Sequence, residues 1–599
     1  MKVIFEECFH WMSRVQVDTT GTNFFVSSTF RILFSNNKHF SILSIQELTF
    51  DPGFHRGRRQ TRMVASILFT KFDTGVVVCV LLFLFVSPIT SFSTDNIRTD
   101  PGTGLFIHIP TQRVKFFHGV NVVSKIFPFL PDTINEDTEN SLTKTDMSNL
   151  HNEWGFNAVR LGVMWVAVEP TKGAINSTYL QNVRELSDLL FEHGLYTLVD
   201  GHQDVLGPDL CGEGFPLWAV RRAFELQKFD RTGAFSHFPL PWLFEIDRDN
   251  ITGFPERSQC VEHLFIDYYS SFGVSTAFGS LYKEPEMYKY FASYWQNVAS
   301  TFSGAPGLLA YEILNEPGPG DVYDPLYWPS DRQNLFALYN ETLKSIRQVD
   351  DDTILFFEGV PTSQYIGDYL KGSSDLLAPE GPGGVEYGDR EAFAFHLYCP
   401  PGTNEFICDG MIDLNWEWLR RTKARMKTTK ATLMTEFGAV GNDPASIRLL
   451  NKVLTAAEAL QQSWFYWTYR SYGDITTQNS DTETFFFPNG SIQSNKIKAL
   501  STTYPQSVAG VPSSIHYYFD RVDSTFGLHY ITTKSDCGID NSNTTEIYLN
   551  EAMWYSNGYV VNVSKPLVWK SSRKNYIEVE HPCGVFSGEY MVYVKIYAK

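Results

Sequence analysis

The stretch GLLAYEILNEPG at residues 307–318 decides the reading of the fold. Its run Leu309–Asn315 is apolar and aromatic, shorter than a helix needs, and it stops at Asn315-Glu316-Pro317. A short, almost continuous apolar run of this kind is what a strand buried on both faces of a parallel sheet looks like. Working outward, seven further runs have the same form. Upstream lie Phe116–Val123 (FFHGVNVV), Ala158–Val163 and Tyr196–Asp200; downstream lie Ile354–Glu358, Ala392–His396, Thr432–Glu436 and Trp464–Trp467. Between them sit amphipathic stretches such as Leu180–His193, followed by Gly194 in the place of a helix C-cap, and Met287–Phe302. Eight strand–helix alternations predict an α/β fold, a (β/α)8 TIM barrel, spanning residues 94–505. Nearly every run ends in a polar or aromatic residue of functional type: Arg160, His202 and Asp204, Asn315-Glu316, Glu358, His396, Glu436, Trp467. The C-terminal ends of barrel strands converge on one mouth, where barrel active sites are built.

Two of these carboxylates suit one reaction. Glu316 closes the fourth run and Glu436 the seventh, within Met434-Thr435-Glu436-Phe437-Gly438, so the two face each other across the barrel. Double-displacement glycoside hydrolysis uses two carboxyls about 5–5.5 Å apart, one to protonate the leaving oxygen and one to attack the anomeric carbon. Glu316 is the expected acid, its proton retained by burial and by the Glu436 charge. Glu436 is the expected nucleophile, kept ionised by a positive neighbour for which Arg160 is the candidate. Asn315 is placed to bind the sugar 2-hydroxyl. Glu358 and Trp464 read as structural.

The segment between the third and fourth runs, about 207–305, is far longer than an ordinary loop. It holds 15 aromatics between Phe215 and Tyr282, which suits either a wall for an apolar part of the substrate or a small subdomain with its own core. After Tyr504-Pro505 the texture becomes alternating, as in GYVVNVSKPLVWK and YMVYVKIYAK, and predicts a C-terminal β-sandwich over 506–599 that braces the barrel.

The chain has 599 residues and a net charge of −18, which argues against nucleic acid as a partner. Its 43% hydrophobic content excludes a disordered chain. The N-terminus reads as an addition. Residues 1–62 have no period and end in the basic cluster Arg56, Arg58, Arg59 and Arg62, as expected of an extension from an upstream start. Residues 63–93 read as a signal peptide, with Lys71, the apolar run Gly75–Val86 and Ser91-Phe92-Ser93 as its cleavage site, or as a signal anchor if uncleaved. Six cysteines follow, read as up to three disulfides, with Cys399–Cys408 and Cys537–Cys583 the pairs favoured by locality. Glycosylation sequons begin at Asn176, Asn250, Asn340, Asn489, Asn543 and Asn562, and none lies before Thr94. Secretion is the expectation, with lysosomal residence the alternative.

Four motifs carry a family resemblance: His118–Lys125 (HGVNVVSK), Asp200–Asp204 (DGHQD), Ile313–Pro317 (ILNEP) and Ala394–Tyr398 (AFHLY). Together with the Asn-Glu and Glu strand ends they resemble clan A glycoside hydrolases of family 5, and within it the endoglycoceramidases. The likeness runs from about Gly104 to the C-terminus; Ser124 stands where the family often has an aromatic. The resemblance implies Glu316 as acid/base and Glu436 as nucleophile. It also implies sugar contacts from Lys125, His202, Asp204, Asn315, Tyr398 and Trp467. His396 would orient a carboxylate or hydroxyl, Tyr398 would hydrogen-bond Glu436, and Trp467 would offer a flat face to the sugar. The implied function is a retaining endo-glycosidase that cuts between oligosaccharide and ceramide, acting as a monomer without metal or cofactor, with membrane or micelle contact. Glucosylceramidase, steryl-β-glucosidase and galactosylceramide-directed activities are the alternatives, and a non-catalytic glycolipid-binding protein is the reading from another class.

Overall fold

The computed structural model describes the strand residues 25–27, 42–44, 48–51, 62–63, 66–71 and 77–82, and residues 96–599 except 138, 227–245, 248–254, 264, 270, 324–333, 362–379, 400–403, 475–479, 534–542 and 583–587. The chain divides into two units, Met1–Ser93 and Thr94–Lys599. In the first, six short strands are described, among them Ser66–Lys71 paired with Val77–Leu82. Cys537, Cys583 and Ser91-Phe92-Ser93 lie outside the described residues. Among the described residues no helix is long and apolar enough to cross a membrane.

The second unit contains the expected barrel. Its eight parallel strands are β4 (His118–Val122), β5 (Ala158–Gly162), β6 (Tyr196–Asp200), β7 (Leu308–Glu312), β8 (Ile354–Glu358), β9 (Glu391–Leu397), β10 (Thr432–Phe437) and β11 (Trp464–Tyr466). The barrel closes where His118 and Val120 of β4 pair with Trp464 and Tyr466 of β11. Side chains alternate along a strand with period two, which stacks the interior in layers. Ala158, Leu198, Ala310, Phe356, Ala394 and Leu433 form one buried apolar cluster. Two residues further along each strand stand Arg160, Asp200, Glu312, Glu358, His396 and Thr435, all buried. The barrel therefore carries a polar floor laid directly on an apolar plug, and the site sits on that floor.

Helices cover the outside. The helix Ser177–Glu192 is capped by the Asn176 side chain, which accepts from the Tyr179 N–H. Gly194 then turns the chain at φ +83°, and a Cβ there would come within 2.6 Å of the His151 ring, so the position needs glycine twice over. In the long insertion the described aromatics face inward: Phe215, Tyr268, Tyr269, Phe278 and Tyr282 are buried. These residues belong to the same continuous apolar core as the barrel and its helices, so the insertion packs onto the barrel and has no separate core among the described residues; it is held by the disulfide Cys211–Cys260, a pairing that locality had not suggested. Cys399–Cys408 is the second disulfide.

The C-terminal part is two antiparallel sheets. The smaller contains β13 (His516–Asp520), β14 (Thr525–Thr532), β19 (Tyr590–Ala598) and β16 (Tyr559–Val563), in that order. The larger has seven strands: β17 (Val568–Arg573), β18 (Tyr576–Glu580), β15 (Thr544–Tyr548) and β12 (Tyr504–Val508), continued by β3 (Arg113–Lys115), β2 (Phe106–His108) and β1 (Ile97–Thr99). Three strands that precede the barrel in sequence thus belong to the sheet that follows it. Phe106 of β2 also packs under the barrel, 5.5 Å from Phe117 and 6.2 Å from Phe356 between ring centres. The sandwich grips the barrel by tyrosine hydroxyls: Tyr504, Tyr548 and Tyr576 donate to the carbonyls of Gly155, Glu153 and His151 at 2.7, 2.7 and 2.8 Å.

Candidate active site

The polar floor is organised around Arg160, which is fully buried. Its Nε donates to Glu312 Oε2 at 2.6 Å, Nη1 to Asn121 Oδ1 at 3.0 Å and Glu436 Oε1 at 2.6 Å, and Nη2 to Asn315 Oδ1 at 2.7 Å. Nη2 also lies 3.1 Å from Asp200 Oδ1. Burial alone would lower the guanidinium's pKa, but the carboxylates of Asp200, Glu312 and Glu436 outweigh it and raise it further. A planar fork of donors is what lets one residue fix so many partners at once.

Glu436 therefore has one oxygen on Arg160, and the other accepts from Tyr398 Oη at 2.9 Å. Across the mouth, Glu316 Oε1 lies 2.7 Å from His396 Nδ1, and that nitrogen is 3.5 Å from Glu436 Oε2. One oxygen of each carboxyl and the histidine nitrogen all fall within 4.8 Å of one another. A cation could be bridged by that trio; two carboxylates at this spacing also suffice for a retaining displacement without one. Burial, followed by the charge of Asp204, pushes the Glu316 pKa up to about 7. Burial likewise lowers that of His396, against the pull of Glu436. A carboxyl that keeps its proton thus faces a carboxylate gripped by two donors, the asymmetry an acid and a nucleophile require.

The backbone of Glu316 is held in an uncommon conformation, φ +37°. Three groups fix it. Its N–H donates to Glu358 Oε2 at 2.8 Å, and its carbonyl accepts from Gln203 Nε2 at 3.1 Å and from Tyr269 Oη at 3.4 Å. Glu358, expected to be merely structural, thus touches the candidate acid directly. Burial, then the nearby Glu316 and Glu312, hold its own pKa well above the usual carboxylate range.

A second cluster lies beside the first. Lys125 pairs with Asp204, with Asp474 at 2.9 Å and with Glu213 at 3.2 Å, and its ammonium stands 4.9 Å from the centre of the Trp467 ring. His202 bridges Asp200 at 2.7 Å and Asp204 at 3.2 Å and lies parallel to Trp467 at 5.6 Å. Burial works to lower the His202 pKa, but Asp200 and Asp204 raise it to about 9. Burial also acts to raise that of Asp204, and Lys125 overrides it and pulls it down. Glu213 is pushed up to about 8 by burial, only partly offset by Lys125. All ten candidate residues thus line one mouth. His396 Nε2 and Trp467 Nε1 are buried with no hydrogen-bond partner among the described residues. Buried polar atoms are seldom left so, and atoms that meet a sugar hydroxyl are one reason for it.

Glu312, Glu213, Asp200, Asp474, Asn121 and Gln203 were not singled out from the sequence. For Asp200 and Glu312 the signal was available, since each lies two residues beyond an inward apolar residue of its strand.

Comparison with known proteins matches residues 124–473 to the Cellulase family (glycosyl hydrolase family 5), and residues 503–592 to the glycoside hydrolase family 5 C-terminal domain. An endoglycoceramidase from Cyanea nozakii is 33% identical over 473 residues, covering 78% of this chain and 87% of its own. One from Hydra vulgaris is 32% identical over 504 residues, covering 83% and 89%. The chain belongs to glycosyl hydrolase family 5, in its endoglycoceramidase group. A solved structure of endo-glycoceramidase II from Rhodococcus sp., in complex with a cellobiose-like imidazole, shares the fold with this glycoside hydrolase. It gives a TM-score of 0.60 at 23% identity, covering 82% of this chain and 98% of that one. The two family 5 matches of this enzyme span most of the barrel and most of the sandwich.

Proposed function

We propose that this family 5 enzyme is a retaining endo-glycosidase that hydrolyses the β-glucosidic bond between the oligosaccharide and the ceramide of glycosphingolipids. The observation that carries the mechanism is the asymmetry of the two carboxyls. Glu436, held by Arg160 and Tyr398, attacks the anomeric carbon while Glu316 gives its proton to the ceramide oxygen. The ceramide alcohol leaves, and a glycosyl ester on Glu436 remains. Glu316, now ionised, takes a proton from water, whose oxygen attacks the same carbon and frees Glu436 with overall retention. Asn315 has its Oδ1 on Arg160 and its Nδ2 on the Gln203 carbonyl at 3.1 Å, which fixes the amide and leaves one N–H for the sugar 2-hydroxyl. Lys125, Asp204, His202 and Trp467 form the wall against which the sugar rests, and the unpartnered indole N–H is available to a hydroxyl.

The lipid end of the substrate meets a different surface. Segments that follow barrel strands hold large apolar side chains in solvent: Phe127 and Ile134 in the loop after β4, 85% exposed, and Phe406 in the first turn of the helix Glu405–Arg425 after β9, 87% exposed. Inserting such side chains into a bilayer or micelle would bring the mouth to a headgroup without help from basic residues, which suits an acidic protein. Export through the leader at 63–93 agrees with two disulfides in the catalytic unit.

The test uses the full chain secreted from a eukaryotic host and a panel of ceramide-labelled lipids: a ganglioside, lactosylceramide, glucosylceramide and a galactose-series lipid. Release of the whole glycan with free ceramide is expected, and loss of it in Glu316→Gln and Glu436→Gln. Near-full activity in either variant refutes the assignment of roles; cleavage of glucosylceramide alone refutes the endo reading.

A further inference from the structure

The outer face of the small sheet is unusual for a surface. Along β13, β14 and β19 the inward residues Tyr517, Phe519, Leu528, Tyr530, Val592 and Val594 are buried in the sandwich core. The outward ones ought to be polar, yet Tyr518 is 52%, Tyr593 57% and Met591 40% exposed. Strand register places them in rows. One row runs Tyr518, Gly527, Lys595, Asn562 across four strands. The next runs His516, His529, Tyr593, with ring centres 5.0 and 6.1 Å apart. At the middle of the first row Gly527 leaves no side chain. A Cβ there would lie 2.3 Å from Tyr518 Cε1, because the tyrosine ring reclines across that strand. The result is a shallow aromatic trough with Asn562 at its far edge.

Asn562-Val563-Ser564 is a glycosylation sequon. Its asparagine is exposed and its side chain makes no hydrogen bond among the described residues; Asn340 makes none either, but it is half-buried and lies on the helix Phe336–Arg347, not on this sheet, and the other described sequon asparagines are engaged. Asn176 caps a helix, Asn489 accepts from Ser491, and Asn543 donates to the His581 carbonyl. We propose that Asn562 carries an N-linked glycan whose first two N-acetylglucosamine rings lie in this trough, against Tyr593 and across Gly527 onto Tyr518. The spacing allows it. Adjacent strands are about 4.8 Å apart, so Gly527 is roughly 10 Å from Asn562, about the length of two sugar rings. Tyr593 is the diagonal neighbour of Asn562, at about 7–8 Å. Apolar C–H faces of the sugars would stack on the tyrosines, and their hydroxyls and acetamides would replace the hydrophobic surface with a polar one.

The chemistry also sets an order of events. In the transfer the Asn562 amide nitrogen bonds to the anomeric carbon of a polyprenyl-pyrophosphate-linked oligosaccharide and loses one proton, while the bond from that carbon to the pyrophosphate oxygen breaks and the lipid pyrophosphate leaves. In the folded chain Ser564 Oγ accepts from the Tyr593 N–H at 3.1 Å and Ser564 N–H donates to the Tyr593 carbonyl at 3.0 Å. The sequon is thereby locked into the sheet edge, so the transfer precedes the pairing of β16 with β19.

The experiment is peptide mass mapping of the full chain secreted from insect cells, combined with nitration of surface tyrosines by tetranitromethane. The peptide containing Asn562 is expected to carry glycan, and Tyr518 and Tyr593 are expected to be nitrated several-fold more slowly than in Asn562→Gln. Native treatment of the wild-type protein with a peptide N-glycosidase, which leaves Asp at 562, provides a second comparison should the variant fail to be secreted. An unmodified Asn562 in a chain glycosylated elsewhere overturns the proposal, and so do equal nitration rates with and without the glycan. Cleavage of lactosylceramide is expected to be unchanged throughout, so neither outcome bears on the catalytic assignment.

Discussion

The pKa of Glu316 near 7 makes a quantitative claim about leaving groups. An ordinary glutamate titrates near 4.3, so at pH 7 only about 0.2% would hold the proton that the ceramide oxygen needs. At about 7, half of Glu316 holds it, an advantage on the order of 200-fold at neutral pH. Raising the pH to 9 then leaves about 1% protonated. For lactosylceramide, kcat/KM, which reports only the steps up to ceramide departure, should fall along an alkaline limb centred near pH 7. A dinitrophenyl lactoside departs without a proton, and its kcat/KM should pass through pH 7 with no such limb. Both substrates share Glu436, Arg160 and the sugar wall, so the comparison isolates Glu316; His202, near 9, titrates well above the limb. A limb near 7 with the dinitrophenyl substrate, or one near 4–5 with lactosylceramide, would refute the assignment. The raised pKa has a second consequence. Because the folded state favours the protonated form, the favourable contribution is complete below about pH 4.3 and is lost as pH rises through about 7. Glu316→Gln should therefore be more stable than wild type at pH 8, by about 1–3 kcal/mol, and no more stable at pH 4, as thermal melts would show. Equal melting differences at the two values would contradict it.

Three other perturbations separate the parts of the site. Glu358→Gln keeps an acceptor for the Glu316 N–H and mimics a protonated acid, so kcat/KM should stay within about threefold; Glu358→Ala leaves that N–H unpaired, which at about 1–3 kcal/mol corresponds to a loss of roughly 5–150-fold. Arg160→Lys cannot reach all five partners and strands buried carboxylates, so chemical denaturation should show a loss of about 3–5 kcal/mol, with activity lost at every pH. Phe127→Ser combined with Phe406→Ser should lower activity on lactosylceramide in phosphatidylcholine vesicles at least about 10-fold, while hydrolysis of a soluble aryl lactoside stays unchanged; equal losses on both would place these residues in the folding of the mouth instead.

The barrel was legible because each strand announces itself twice, by an apolar run and by the polar residue that ends it. The run Tyr196–Asp200 became β6 unchanged, and Ile354–Glu358 became β8. What escaped notice was the interior layer just below the strand ends. Attention to the last residue of LAYEILN finds Asn315 and passes over Glu312, which is three residues earlier and anchors Arg160. Glu358 was seen at its strand end but lacked a visible partner, because the Glu316 N–H that it accepts becomes available only when the backbone after β7 turns to positive φ. Glu213 and Asp474 reach Lys125 from long loops, and no periodicity in sequence reports where a loop folds back. The same holds for Cys211 and Cys260, 49 residues apart, whereas Cys399 and Cys408 are 9 apart and were paired by proximity alone.

The place of β1–β3 in the larger sheet has a consequence for synthesis. Lys115 of β3 finds its partner, Ser507 of β12, only after about 390 further residues have been made. At roughly 5–20 residues per second the nascent chain carries an open strand edge for about 20–80 seconds, while an entire barrel is assembled between the two halves of the ladder. The hydrogen bonds between β3 and β12 therefore cannot form until every strand of the barrel has been made. A ribosome that stalls between β11 and β12 leaves all eight barrel strands made and the edge of β3 still without its partner.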